Sequence, residues 1–183
     1  MNRKNVKYNI KSTIIDYSKS ICVALIVGVF IRSFIFESTL VSGQSMMPTF
    51  NHKDRLIVFK APYKLNLKEF NREDIVVFKA PDKDALYIKR IIGLPGDVIK
   101  IEDGNVYVNE KIIEEDYIKK DAYTYSENEG KNTIVKNGQL FVLGDNRDLG
   151  ASKDSRLLGT ISEKSVKGKV EVRFFPFNSI RRF

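Results

Sequence analysis

One long apolar segment dominates the first forty residues of the chain. Ile21–Ile31 carries no polar side chain except the weakly polar thiol of Cys22, and Phe34–Phe36 resumes the apolar pattern. Taken as residues 17–36, the segment has twenty residues. A helix of that length rises about 30 Å, which matches the hydrocarbon core of a bilayer. We therefore predict a single transmembrane anchor over residues 17–36.

The distribution of charge predicts how this anchor is oriented. The net charge is +8, and residues 1–20 carry +4 of it. Basic residues flanking an apolar span are retained in the cytoplasm. We expect a cytoplasmic basic tail over 1–16 and an extracytoplasmic domain over 37–183, in contact with membrane lipid. The charged residues of this N-terminal stretch are Arg3, Lys4, Lys7, Lys11 and Lys19, against Asp16.

The sequence gives less support to other interpretations of the apolar segment and of the basic charge. A cleavable signal peptide would need a small-x-small site after the apolar core, and residues 32–36 supply none. A buried helix of a soluble domain remains an alternative. Nucleic-acid binding is not expected, because no nucleic-acid motif accompanies the basic charge. The single cysteine, Cys22, excludes an internal disulfide and a zinc site built on several cysteines.

Beyond the anchor, the hydrophobic pattern is typical of strands. Short β-branched and aromatic runs alternate with polar turns, and Asp103-Gly104-Asn105 is a strong hairpin signal. The segment 114–138 is polar and weakly periodic, so we expect a hairpin and a cap excursion within 100–140. No long amphipathic helix follows the anchor, which predicts one mostly β domain. The predicted strands are 54–60, 74–79, 97–102, 106–109, 139–143 and 170–175, with an extended run over 38–42 and a loop over 61–73.

A candidate nucleophile follows the extended run. Ser45 lies between Gly43, which lets the backbone turn and approach a substrate, and Pro48, which restricts Met47. A serine hydroxyl is a weak nucleophile and needs a positioned base. From the residues alone, a plain turn serine is an equally good interpretation.

Two side chains are candidates for that base. His52 has suitable chemistry, but it lies in a polar turn, and a solvated surface histidine is the favoured interpretation. Lys89 lies between two apolar runs and, in a strand, shares a face with Tyr87 and Ile91. Desolvation can lower the pKa of a lysine enough for it to act as a base. The alternative is a strand lysine that extends to solvent, as the adjacent Arg90 could do.

A third polar cluster comes after the predicted strand 139–143. Residues 144–148 and 152–156 contain many hydrogen-bonding side chains. Such a network often serves only to fix a loop. It can also hold a catalytic amine in place.

These clusters, in this order behind an N-terminal anchor, resemble the bacterial type I signal peptidases, a family of serine-lysine dyad peptidases. The resemblance covers the chain from the anchor nearly to its carboxyl terminus. The size is similar to that of the family's short, single-span members. The matching segments are 42–49, 72–78, 89–97, and 144–147 with 154–156.

The resemblance implies a β-rich catalytic domain and a role for each matching residue. Ser45 is the expected nucleophile and Lys89 its general base, and the backbone N–H of Ser45 would donate to the oxyanion. The implied supporting residues are Ser152, which hydrogen-bonds the lysine, and the ion pair Asp154–Arg156. Met46 and Ile88 would border a small pocket that accepts alanine-sized residues. No metal and no organic cofactor is implied.

Three positions depart from the family pattern. Glu73 stands where glycine is common, and about two extra residues precede Ser152, which makes its match less secure than that of Asp154. Gly43 stands where some members have a serine that completes the oxyanion hole. A second donor must then come from the backbone, from Ser42 or from water.

The sequence therefore predicts a membrane-bound endopeptidase that removes signal peptides from exported preproteins after an Ala-x-Ala-like site. One alternative is a dedicated processing peptidase of the same dyad type with a single client. A less favoured one is a non-catalytic, membrane-tethered β domain that binds secreted partners.

Overall fold

The structure is a computed structural model that describes residues 10–61 and 70–183, with the backbone alone at 10–12. Most of the predicted basic tail and most of the predicted loop over 61–73 lie outside these ranges. The helix α1, Ile10–Phe30, continues as a five-residue π-helix, Ile31–Ile35. Within the described residues, one helical segment, Thr13–Ile35, is long and apolar enough to cross a membrane, and none of it is buried. It starts four residues before the predicted anchor.

Strands are the main regular elements of the remaining described chain, as predicted. The first of them, β1, begins at the residue that follows the π-helix. A single-turn helix, α2 (Ser155–Leu158), and two 3₁₀ turns at 163–165 and 177–179 complete the elements. The strands are β1 Phe36–Leu40, β2 Arg55–Phe59, β3 Ile75–Lys79, β4 Leu86–Gly93, β5 Val98–Glu102, β6 Asn105–Val108, β7 Lys111–Ile112, β8 Asn132–Ile134, β9 Gln139–Leu143, β10 Ile161–Ser162, β11 Val166–Phe175 and β12 Arg181–Arg182.

The strands form two antiparallel sheets. The large, curled sheet has the order β1-β2-β11-β3-β4-β9-β10, with β12 beside β11, and the small one has the order β7-β6-β5-β8. The predicted hairpin around Asp103-Gly104-Asn105 joins β5 to β6. Most predicted strand bounds agree with the structure to within one residue, and two larger differences remain. The last predicted strand starts earlier, at Val166, and the polar excursion contributes β8 to the small sheet.

The central strands of the large sheet are buried on both faces. Along β3, Ile75 and Val77 belong to one core cluster, whereas Val76 and Phe78 belong to another. Alternate side chains of a strand point to opposite faces, so apolar residues at every position indicate packing on both sides. The neighbouring β4 is buried over its last five residues, Lys89–Gly93. A lysine at this position is therefore removed from water by the sheet itself.

Candidate active site

Ser45 lies in a turn that follows β1. Beyond β1, Val41 donates its N–H to Asp54 O at 2.9 Å, and Gly43 then turns the chain with a positive φ of 106°. Residues 45–49 form the turn, which is closed by a hydrogen bond from Phe50 N–H to Met46 O at 2.8 Å. Met46 and Phe50 are both fully buried in the core. This packing fixes the backbone of the turn, so the half-buried Ser45 has a defined position.

Lys89 meets Ser45 from the middle of the large sheet. It lies on β4, between β3 and β9, and only 3% of its surface is exposed. Its Nζ is 2.8 Å from Ser45 Oγ and donates a second hydrogen bond, of 2.9 Å, to Ile88 O. A base at this distance is within reach of the hydroxyl proton. The two residues are 44 positions apart in the sequence, and the fold alone brings them together.

Burial makes this lysine a usable base. Desolvation lowers the pKa of Lys89 from 10.5 to about 8, because a buried ammonium loses its hydration. The carboxylates of Asp154 and Asp145 act in the opposite direction, and the Arg156 guanidinium lowers the pKa further. With a pKa of about 8, about a tenth of the lysine is neutral at pH 7, compared with about 0.03% for a lysine of ordinary pKa.

Asp154 and Arg156 form a closed ion pair next to the dyad. Both carboxylate oxygens of Asp154 accept from the Arg156 side chain, at 2.9 and 2.8 Å, and Asp154 also accepts from Gly144 N–H at 3.0 Å. Burial opposes ionisation of Asp154, but these hydrogen bonds and the Arg156 charge hold the pKa of its carboxyl below the ordinary value. Asp154 therefore stays charged and fixes the start of α2, where it also caps Arg156 N–H.

Ser152 lies in the same wall of the site. The residue is buried, its Oγ makes no hydrogen bond of regular geometry among the described residues, and its hydroxyl helps to lower the pKa of the Asp154 carboxyl. The hydrogen bond to Lys89 that the resemblance implies is thus not formed in this structure. A Cβ added to Gly144 would collide with Ser152 Oγ and Ser45 O. Only a glycine at position 144 lets the three chain segments approach this closely.

Asn146 is a functional residue that the sequence did not single out by itself. Its backbone N–H donates to Ser45 O at 3.0 Å, and its Nδ2 donates to Gln44 O at 3.1 Å. The loop after β9 is thereby joined to the turn of the nucleophile. The polar cluster at 144–148 was the available signal, and the structure shows what it does: it holds the backbone of Ser45.

His52 has a structural contact rather than a catalytic one. It is exposed, as the sequence predicts, and its Nδ1 accepts a 3.2 Å hydrogen bond from the N–H of Gly43. This bond occupies the Gly43 N–H. The N–H of Ser45, in contrast, donates to no acceptor in the described part of the chain, so it is available to a developing oxyanion.

Two buried arginines connect the site to the polar excursion. Arg90 donates to Asp145 through Nε and Nη2, at 2.9 and 2.6 Å, and its guanidinium stacks on the ring of Tyr117 at 3.8 Å. Arg147, fully buried, pairs with Glu115 and donates to Gly144 O at 2.9 Å. The excursion therefore packs on the loop that holds the nucleophile.

A cleft of about 580 Å³ opens onto the dyad. One wall comes from residues 39–46, a second from Lys83 and residues 86–89, and a third from residues 150–153 with Leu157. Met46 and Ile88 both line it, and Ile88 packs against the core cluster of Met46. Gly43 and Ser152 line it as well. Six of the eight residues singled out by the sequence line this cleft. The other two, Asp154 and Arg156, form the ion pair behind its wall.

A buried lysine amine beside a serine hydroxyl at the edge of a cleft defines a class of site that can perform acyl transfer without a histidine. Comparison with known proteins agrees with this class. The family model described as signal peptidase, peptidase S26, matches residues 14–175. A signal peptidase I of Bacillus licheniformis is 39% identical over 181 residues, which are 95% of each chain. Signal peptidase I P of Bacillus subtilis subsp. natto is 41% identical over 178 residues, 93% of this chain and 94% of the relative.

The chain therefore belongs to the signal peptidase I family. It is a hydrolase, a peptidase that cleaves signal peptides, and its substrates are preproteins that carry them. Among solved structures, a signal peptidase I from Enterococcus faecalis V583 is 33% identical and covers 56% of this chain and 97% of its own, with a TM-score of 0.47.

Proposed function

We propose that this protein cleaves signal peptides with a Ser45–Lys89 dyad while anchored in the cell membrane by its N-terminal helix. The contact of 2.8 Å between Lys89 Nζ and Ser45 Oγ, at a buried position in a cleft, carries the proposal. Among the described residues, Lys89 is the basic side chain that forms a hydrogen bond with Ser45 Oγ.

The proposed reaction is acyl transfer in two halves. Neutral Lys89 accepts the proton of Ser45 Oγ while the oxygen attacks the scissile carbonyl, and the Ser45 N–H donates to the oxyanion. The ammonium then returns the proton to the leaving amine. In the second half, Lys89 takes a proton from the water that attacks the acyl carbon, and the ammonium then gives this proton to Ser45 Oγ as the ester bond breaks and the new carboxyl end of the signal peptide leaves. No metal or organic cofactor takes part in these steps.

Asp154 and Arg156 support the base by holding the loop wall next to it. Asp154 raises the pKa of the Lys89 amine and Arg156 lowers it, and their ion pair fixes the segment from Gly144 to α2. Ser152 lies in that wall, with its hydroxyl directed into the crowded contact with Gly144. We propose that Ser152 hydrogen-bonds Lys89 during the cycle, when the amine has become an ammonium.

The cleft supports an extended substrate with small side chains near the cut. β1 is the end strand of the large sheet, so the edge that faces away from β2 can pair with another strand. A peptide in this position would run between residues 39–43 and residues 86–88. Met46 and Ile88 fill the floor between them and leave room for alanine-sized residues, which fits an Ala-x-Ala site.

The proposed topology places the basic N terminus in the cytoplasm and the β domain outside. The apolar segment Thr13–Ile35 and the excess of basic residues before it support this orientation. The client proteins would then meet the domain after export, with their signal peptides still in the bilayer.

The test is cleavage of a preprotein whose signal peptide ends in Ala-x-Ala. Detergent-solubilised wild-type protein should cut after the second alanine, and Ser45→Ala and Lys89→Ala should each lose the activity by about 10³-fold or more. Lys79→Ala, which removes an exposed lysine of β3 outside the cleft, is the matched control and should keep most of it. Cleavage by all variants would reject the dyad. If the folded wild-type protein cuts no generic preprotein, a dedicated client is the better reading.

A further inference from the structure

Lys60 is a buried lysine that the proposed reaction does not use. It follows β2 directly, and only 10% of its side chain is exposed. Lysine is rarely buried to this degree unless it has partners, because its ammonium loses hydration. The partners of Lys60 therefore indicate why this lysine is buried.

All of these contacts lie at the junction between the membrane helix and the β domain. The backbone N–H of Lys60 donates to Ile35 O at 2.8 Å, and its Nζ lies 3.4 Å from Arg32 O. The same Nζ is 3.2 Å from Glu37 Oε2. One residue thus contacts the last turn of the π-helix twice and the second residue of β1 once.

The helix end requires such partners. The last carbonyl groups of a helix accept no hydrogen bond from an N–H group of the same helix. They also form the negative end of the helix dipole. Ile31 O accepts from Phe36 N–H. Lys60 donates to two more of these carbonyls, to Arg32 O through its side chain and to Ile35 O through its backbone N–H. A cation at this place is favourable, and Glu37 balances its charge.

The junction also joins the anchor directly to the strand of the nucleophile. The π-helix ends at Ile35 and β1 begins at Phe36, whose ring stacks on Phe59 at 5.0 Å. Ser45 follows nine residues after Phe36. Nine extended residues span at most about 30 Å. The angle at the junction therefore sets the height of Ser45 above the bilayer.

We propose that Lys60 is a positioning residue that braces the β domain on its anchor, so that the dyad meets the cleavage site of a membrane-inserted signal peptide. This inference rests on the proposed anchoring. A signal peptide whose apolar part lies in the bilayer presents its cleavage site at a fixed depth. A short soluble peptide has no such restriction and can reach the cleft at any tilt of the domain.

The functional test compares these two kinds of substrate. The full chain is reconstituted in vesicles of phosphatidylethanolamine and phosphatidylglycerol, as wild type and as Lys60→Met. We expect kcat/KM for a preprotein inserted in the same vesicles to fall by about tenfold or more, because a displacement of about 1 Å far from the chemistry can have such an effect. The value for a short peptide that spans the cleavage site should change by less than about twofold. Lys60→Arg, which keeps the positive charge and the hydrogen-bond donors, should retain most of the wild-type kcat/KM for the preprotein.

Two further variants keep the comparison decisive. Lys79→Met removes an exposed lysine that pairs with Asp84 at 3.1 Å. It should change kcat/KM for neither the preprotein nor the short peptide. Glu37→Ala removes the half-exposed partner of Lys60 and, being near the surface, leaves the core intact. It should lower preprotein cleavage alone, by about threefold. An equal loss of kcat/KM on both substrates, or no loss on either, would refute the proposed positioning role of Lys60.

A distance measurement tests the brace without any activity, so its outcome is separate from that of the proposed function. Cys22 is the single cysteine of the chain and lies exposed on α1. With a second cysteine introduced by Lys136→Cys, at an exposed position of the β domain, two spin labels report the distance between anchor and domain. Pulsed electron resonance should give a narrow distribution for the wild type and a broader one for Lys60→Met. Distributions of the same width would refute the proposal.

Discussion

Replacing Lys89 with methionine should stabilise the fold at neutral pH while it abolishes the base. The pKa of Lys89 is lowered from 10.5 to about 8 by burial. At pH 7 the lysine is mostly protonated in both the folded and the unfolded chain, so the folded state bears the full cost of the buried charge. That cost is about 3 kcal/mol, from 1.36 kcal/mol per tenfold change in proton affinity. Methionine has a similar length and carries no charge.

The expected net gain is smaller, because methionine also loses the hydrogen bonds of the amine to Ser45 Oγ and Ile88 O. Each of these two bonds is worth about 1 kcal/mol net, which leaves a gain of about 1 kcal/mol at pH 7. Between pH 8 and 10.5 the unfolded chain binds more protons than the folded one, so the wild type becomes more stable as the pH rises. At pH 10 the remaining cost of the charge is about 1 kcal/mol, and the variant should have no advantage.

Urea unfolding in detergent, followed by circular dichroism because the chain has no tryptophan, measures this difference. The control is Lys79→Met, at an exposed position, whose free energy of unfolding should stay within about 0.5 kcal/mol of wild type at both pH values. A Lys89→Met variant that is less stable than wild type at pH 7 would refute the argument that burial lowers this pKa. An effect of the same size at pH 7 and pH 10 would refute it as well.

Two other predictions follow from the same site. The kcat/KM of the wild type should rise about tenfold between pH 7 and pH 9, since the neutral fraction of a base with a pKa of about 8 increases from about 9% to about 91%; a level profile over this range would contradict Lys89 as the base. Gly144→Ala should lower the free energy of unfolding by about 1–3 kcal/mol and reduce kcat, because its Cβ would collide with Ser152 Oγ and Ser45 O. Gly28→Ala, whose Cβ meets nothing within 4 Å, is the control, and an equal effect of both changes would show that the crowding at Gly144 is not the cause.

The sequence by itself determined the elements whose signal is local. The apolar run before Phe36 predicts a helix, because a span of that length needs no partner in the chain to be recognised. The β-branched runs predict β2, β3 and β9 nearly to the residue. The strand β11 begins at Val166, earlier than predicted, because Lys167 and Lys169 interrupt the apolar pattern there. The Lys167 side chain is exposed to solvent, and Lys169 pairs with Asp74 at 2.7 Å, so both charges are accommodated in the strand.

The candidate site could be named from the sequence only where a motif was complete. Ser45, Lys89 and Asp154 lie in segments that resemble family motifs, although composition alone left each of them ambiguous. Asn146 and Lys60 were not singled out, because their importance depends on partners such as Gln44 and Arg32 that are distant in the sequence.

Only the tertiary structure shows which of two neighbouring basic residues lies against Ser45. Lys89 and Arg90 are neighbours with the same apolar surroundings in the sequence. In the fold, Arg90 hydrogen-bonds the carboxylate of Asp145, whereas Lys89 is buried against Ser45 and, among the described residues, hydrogen-bonds no carboxylate. The pKa of an amine depends on its distance from water and from charges in three dimensions. Those distances arise when β4 is placed between β3 and β9, and residue order along the chain does not contain them.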